Sequence, residues 1–232
     1  MPSKARNVII SGLTAAGKTT HCKLLSKEYG LQYISASQIM LEMAGLSTQQ
    51  SLDFWVMTEG IQLPESVLWQ KVDEELSRIE AYGDNIVFDC RSLPWLRTRE
   101  CMVIWLESSL PSRVMKALVS YKGESNLTPI EVEERIRVKD QLDCGQMLQK
   151  YSVDMFQDRT PFNLIVDISS FIIAPTDAAS RISVTRAHEI ISSAVGWYLY
   201  EDNTCWGRLQ SCRSVYGDQV IQRYPEQALG IS

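Results

Sequence analysis

GLTAAGKTTH, residues 12 to 21, sets two glycines with four residues between them and follows the second with lysine and two threonines. Upstream, NVIIS at 7 to 11 is a short β-branched run of the kind that fills a buried parallel strand. Downstream, KTTHCKLLSKEY turns to a helical period and stops at Gly30. The stretch therefore reads strand, loop, helix, the context in which GxxxxGK[ST] acts as a phosphate-binding loop. Gly12, Thr14, Ala15, Ala16, Gly17, Lys18, Thr19 and Thr20 form the expected cradle. Backbone amides at a helix start donate to phosphate oxygens, Lys18 reaches the β and γ phosphates, and the Thr19 hydroxyl ligates Mg²⁺. The expected ligand is a nucleoside triphosphate, ATP, with Mg²⁺. The competing reading is a plain turn with a good helix start.

Outward from the loop, LQYI at 31 to 34 gives a second strand, and SASQIMLEMAG follows with Ser37 as the expected helix cap. A mostly helical region runs to about Tyr82. DNIVFDC, CMVIWLES and NLIVDIS then supply three more apolar strands. Between the last two lies a polar helix-favouring stretch, with Thr128 or Pro129 at its start. A closing helix is expected from about Ala178 to Tyr200. Strands alternating with helices predict right-handed crossovers and an αβα sandwich with a five-stranded parallel sheet. Function then belongs at the carboxyl ends of the strands.

Composition narrows the partners. A formal net charge of −5 over 232 residues offers no broad basic surface for nucleic acid or anionic membranes. The apolar run near the start is too short for a secretory signal, and no stretch has the length to cross a bilayer. Six cysteines without a CxxC pair, beside only two histidines, argue for reduced thiols, a cytoplasmic setting and no structural zinc. Residues 201 to 232, with scattered glycine, proline and aromatics, are free in sequence terms to pack on the domain, to swap with a second copy in a homodimer, or to stay loose.

A phosphate-binding loop alone does not separate a kinase from a GTPase switch or a mechanical ATPase. No NKxD-like guanine-reading segment is present, and the single small domain is thin support for a mechanical ATPase. SGLTAAGKTTHCKLLSKEYG, YISASQIMLEMAG, NIVFDCRSLPWL, VEERIRVKDQLD and YSVDMFQDRTPFNLIVDIS together resemble the P-loop nucleoside-monophosphate kinase group, most closely its cytidylate-kinase-like members. The resemblance implies a kinase domain over about 1–200, with an acceptor-binding helical insert at about 37–80, a lid at about 120–145 and an extension at 201–232. It implies γ-phosphoryl transfer from Mg·ATP to a small acceptor, CMP or dCMP first, by positioning and positive charge around the phosphoryl oxygens.

Lys18, Asp89, Arg91, Arg137 and Lys139 are the expected catalytic residues. Arg91 follows the third strand, where family members carry an arginine that reaches the acceptor phosphate. Asp89 is expected to help hold Mg²⁺ with Thr19; its other reading is a strand-end cap or an ion pair with Arg91. Arg135, Arg137 and Lys139 fall on the lid-like helix, and their other reading is a solvated face paired with nearby glutamates. Ser37, Arg91 and Trp95 are the expected acceptor contacts, with Phe54 and Trp55 as further stacking candidates. Relatives often read closer to Gly-Asp with an arginine a few residues on, and that arginine binds the monophosphate; here stand Ser37, Gln38 and Leu41. Either Arg91, Arg97 or Arg99 supplies the missing charge, or the acceptor carries no phosphate there. The remaining alternatives are a kinase for a specialised metabolite and a nucleotide-binding module that transfers nothing. Asp154 and Asp158 are assigned to structure, and His21 is not expected to act as a base.

Overall fold

A computed structural model describes residues 6–45, 65–121 and 127–223. The first half runs β1 (Val8–Gly12), α1 (Lys18–Tyr29), β2 (Gln32–Ser35), α2 (Ala36–Ala44), α3 (Glu65–Tyr82), β3 (Ile86–Asp89) and α4 (Leu93–Leu96). The second runs β4 (Met102–Glu107), α5 (Leu110–Ser120), α6 (Pro129–Tyr151), β5 (Leu164–Asp167), α7 (Asp177–Tyr200), α8 (Asn203–Tyr216) and β6 (Ile221–Arg223). The sheet order is β2-β3-β1-β4-β5-β6. The first five strands pair in parallel, as the βαβ rhythm predicts.

The alternation of side chains sorts the core into two layers. Val8, Ile10, Ile104 and Val166 face Leu25 of α1 and Ile190 and Ala194 of α7. Ile9, Phe88, Val103 and Trp105 face the other way, onto Met40 of α2, Val72 of α3 and Phe162. Trp105 is completely buried, and burial of such a side chain contributes roughly 1.5–3 kcal/mol.

Two details differ from the sequence expectation. α2 begins at Ala36, and its cap is Ser35, whose side chain accepts from the Gln38 amide, rather than Ser37. The cap must lie outside the helix with extended backbone, and Ser35 has φ −118° and ψ 125°. The sheet also gains a sixth strand, β6, antiparallel to β5. Arg223 secures it by donating to the carbonyls of Arg159 at 2.7 Å and Phe162 at 2.9 Å. This strand covers an edge that would otherwise present unpaired backbone groups.

Residues just before β6 pack on the domain. Trp206 of α8 lies 4.9 Å from Trp197 of α7, ring centre to ring centre. Gly196 lets the two helices approach, since a Cβ there would stand 2.5 Å from the Cys205 sulfur. Among the described residues, no helix is long and apolar enough to cross a membrane. α6 starts at the expected place, with Thr128 and Glu131 closing a reciprocal capping box ahead of Pro129.

Candidate functional site

The loop leaving β1 turns into α1 through positive φ at Ala15 (60°) and Gly17 (104°). These turns aim successive amides at one point, an anion-binding concavity. Gly12 is required by crowding: a Cβ there would stand 2.7 Å from the Leu106 carbonyl oxygen. Lys18 folds back over the loop and donates to the carbonyls of Gly12 at 2.8 Å and Leu13 at 2.9 Å. Burial lowers its pKa from the ordinary lysine value, and Asp89 opposes that shift.

Thr19 lies in the first turn of α1 and meets the end of β3. Its Oγ1 donates to Asp89 Oδ2 at 2.6 Å, and the Tyr33 hydroxyl donates to the same oxygen at 3.1 Å. Thr19 and Asp89 thus bring two hard oxygen donors together beside the phosphate loop. That donor set fits Mg²⁺, which binds few protein ligands and retains waters and phosphate oxygens. Among the described residues, no group of three or more His, Cys, Asp or Glu is placed to hold a metal. Such a Mg²⁺ site would rest on this pair and the triphosphate.

Beyond Asp89, a cavity of about 250 Å³ is lined by Lys18, Thr19, Ser37, Asp89, Arg91 and Lys139. Arg91 and Lys139 both pair with one carboxylate, Asp143, so the ion pair of Arg91 is with the lid-like helix rather than with Asp89. The two cations also lie against the Trp69 indole, 4.2 Å and 5.0 Å from its ring centre. Burial pulls the Arg91 pKa down to about 10, which leaves the guanidinium charged at neutral pH. Asp140, next to Lys139, accepts from the Thr14 amide at 2.9 Å and pairs with Arg113 at 2.5 Å. α6 is thereby fastened to the phosphate loop at one end of the cavity.

Not every expected residue arrives there. Arg137 lies on the outer face of α6, paired with Glu133 at 2.8 Å, with its side chain 55% exposed. Its neighbour Lys139 faces inward because the two are about 200° apart on a helix. Trp95 does not line the cavity: its Nε1 donates to Asp158 at 2.7 Å and its ring meets Phe162 edge-on. Trp69 provides the indole instead. Arg97 donates to the Pro94 carbonyl, and Arg99 to the Gly83 carbonyl at 2.5 Å, at the amino end of β3. Leu41 is buried in the apolar layer behind α2. Phe54 and Trp55 lie outside the described residues.

Two further cavities adjoin this one. On one side, Gly17, Thr20, Lys116, Tyr121 and Ser183 enclose about 210 Å³, with Lys18 and Thr19 shared. On the other, Trp69, Gln70, Asp73, Gln146 and Tyr151 enclose about 310 Å³, with Arg91 and Asp143 shared. Asp73 is the polar hub of the larger cavity, accepting from Ser92 Oγ and Tyr151 Oη, each at 2.6 Å. Sequence reading missed Trp69, Asp73, Asp143 and Gln146. Their one legible signal is helical spacing: Trp69 and Asp73 are four apart, as are Lys139 and Asp143.

His21 is buried and stacked on His188 at 5.7 Å. Burial first, and His188 second, push its pKa down to about 3, so it stays neutral and takes no proton in the working range. All six cysteines are buried free thiols. Lys116 has the opposite consequence for pH. Burial first, then Arg113, bring its pKa down to about 7. An anionic ligand in its cavity favours the charged form, so ATP binding should take up a proton near pH 7 to 8 and weaken as pH rises through that window. Calorimetry in buffers of different ionisation enthalpy measures the uptake. Lys116→Met should abolish it, and an unchanged uptake would place the titration elsewhere.

A family model described as AAA domain matches residues 11–101. A cytidylate kinase of Pyrococcus abyssi is 29% identical over 195 residues, covering 82% of this chain and 99% of its own. A cytidylate kinase of Thermococcus sibiricus is 28% identical over 176 residues, covering 72% and 81%. Among solved structures, an uncharacterized protein from Eubacterium ventriosum superposes with a TM-score of 0.50 at 11% identity, covering 82% of this chain and 97% of that one. That last likeness concerns the fold.

Proposed function

We propose that this chain, which belongs to the P-loop nucleoside-monophosphate-kinase-like family, moves the γ-phosphoryl group of ATP to a small acceptor held in the Trp69–Asp73 cavity. One observation carries the reading. Lys18, the Thr19–Asp89 pair, Arg91 and Lys139 converge on a single cavity that shares lining residues with a cavity of about 210 Å³ beside the phosphate loop and with one of about 310 Å³ beside Trp69 and Asp73.

In this reading the loop amides and Lys18 bind the β and γ phosphates, and Lys18 exchanges its loop carbonyls for phosphate oxygens. Thr19 and Asp89 hold Mg²⁺, which when bound neutralises charge on the phosphates. Arg91 and Lys139 present positive charge where the transferring group passes, and Asp143 fixes the direction of both. Charges preset in a site poor in water stabilise developing charge without reorganisation. Docking of α6, through Asp140 and Arg113, narrows the site and excludes water. The relatives' name makes CMP and dCMP the first nucleotide acceptors to assay.

Arg91→Ala should lower kcat/KM for the acceptor by about 10²-fold, the scale of losing one preorganised donor, while the KM for ATP moves little. Arg91→Lys should recover little, because an ammonium lacks the planar fork. Steady-state ADP release measures both. Unchanged acceptor kinetics in Arg91→Ala would remove this residue from the site.

The reading as a whole is tested by coupled ADP release from Mg·ATP against CMP, dCMP, UMP, AMP, GMP and dTMP, together with non-nucleotide acceptors. Release that requires Lys18 and a small acceptor supports it. Bound ATP with no acceptor-dependent release makes the chain a nucleotide-binding module.

A further inference from the structure

Resting on the transfer reading, we infer that the acceptor is a neutral, hydroxyl-rich ring compound, such as a sugar, a cyclitol or a nucleoside, and that the phosphoryl group goes to a hydroxyl rather than to a phosphate. The first observation is the charge around the acceptor cavity. Each nearby cation beyond Lys18 already faces a carboxylate: Arg91 and Lys139 face Asp143, Lys150 faces Asp73, and Arg113 faces Asp140. Arg91, Lys139 and Lys150 against Asp143 and Asp73 leave a surplus of one positive charge, short of what the two negative charges of a monophosphate dianion would need to offset its desolvation.

The second observation is independent of any side-chain placement. Between Lys27 and Lys71 the sequence holds no lysine, arginine or histidine, while Glu42, Asp53 and Glu59 add negative charge. Among the described residues, α2 and the start of α3 up to Gln70 have no cation to offer a phosphate.

The third observation is what the cavity does offer. Gln70, Gln146 and Gln149 bring amides, Tyr151 a phenol and Asp73 a carboxylate, all beside the Trp69 indole. Amides and a carboxylate donate to and accept from hydroxyls, and an indole face covers the apolar face of a ring.

The transfer balances without a further reactant. The acceptor hydroxyl oxygen forms a bond to the γ phosphorus, the bond from that phosphorus to the bridging oxygen breaks, and ADP leaves. The hydroxyl proton passes to an oxygen of the transferred phosphoryl group and from there to solvent.

The test pairs each monophosphate with its uncharged counterpart: CMP with cytidine, dCMP with deoxycytidine, AMP with adenosine, dTMP with thymidine, alongside glucose, ribose and myo-inositol. ADP release is measured with wild type and Lys18→Ala, and the product is read by ³¹P NMR. The expected result is Lys18-dependent turnover with a neutral acceptor, a phosphomonoester signal, and kcat/KM at least about tenfold above any monophosphate, the discrimination that matched hydroxyl contacts exceed. A phosphoanhydride product, or saturable sub-millimolar binding of CMP or dCMP to the AMP-PNP-loaded protein, overturns the inference and leaves the transfer reading standing. ATP binding without release in either panel overturns both.

Discussion

Lys18→Ala is expected to abolish phosphoryl transfer, lowering kcat by about 10³-fold or more, as removal of a charge aimed at the transferring group does. The fold should survive. Among the described residues, the ammonium's hydrogen bonds are to Gly12 and Leu13, carbonyls of its own loop. Bonds from a charged donor contribute about 1.5–3 kcal/mol each, and their loss is offset by removing the cost of burying the ammonium. Far-ultraviolet circular dichroism and the thermal midpoint should therefore match wild type while ADP release falls to background. Retained turnover would remove the phosphate loop from the chemistry, whatever the loop binds.

Asp89→Asn carries the second large expected effect. The substitution keeps the shape and leaves an oxygen to accept from Thr19 and Tyr33, which now donate to Oδ2. It removes the charge and turns the other oxygen into an amide donor while keeping the acceptor for Thr19 and Tyr33, so the strand end should hold. The Mg²⁺ concentration for half-maximal rate should rise by about tenfold or more, and the saturated rate should fall by about 10²-fold. A merely structural Asp89 would give the reverse: a lower melting temperature with an unchanged Mg²⁺ requirement. Measuring rate against Mg²⁺ and melting on the same preparation separates the two.

The parts of this site that lie along one stretch of chain were legible before any coordinates. Gly12 to Thr19 carry their own geometry, because a strand feeding a glycine-rich loop into a helix has few ways to fold. Asp89 and Arg91 were legible for a related reason: an apolar run ending in Asp-Cys-Arg puts those side chains at the carboxyl edge of a parallel sheet. The five parallel strands followed from the same alternation.

What was not legible comes together only in three dimensions. Trp69 and Asp73 on α3 meet Asp143 and Gln146 on α6, and no local pattern marks that convergence. Trp95 was the indole the sequence offered near Arg91, yet its ring turns to Phe162 and its nitrogen to Asp158. Arg137 and Lys139 looked alike as lid cations, and helical phase separates them: one pairs with Glu133 outside, the other with Asp143 within. β6 is three residues long, too short to stand out until its pairing with β5 appears.

The most direct test of the central claim follows the phosphoryl group itself. Protein in excess over [γ-³²P]ATP, with Mg²⁺ and saturating acceptor, is quenched over a single turnover and the label is separated among ATP, inorganic phosphate and a new small-molecule product. Label is expected in a small-molecule product, formed by wild type and absent with Lys18→Ala. Label that remains in ATP or appears only as inorganic phosphate, with every acceptor supplied, contradicts that claim.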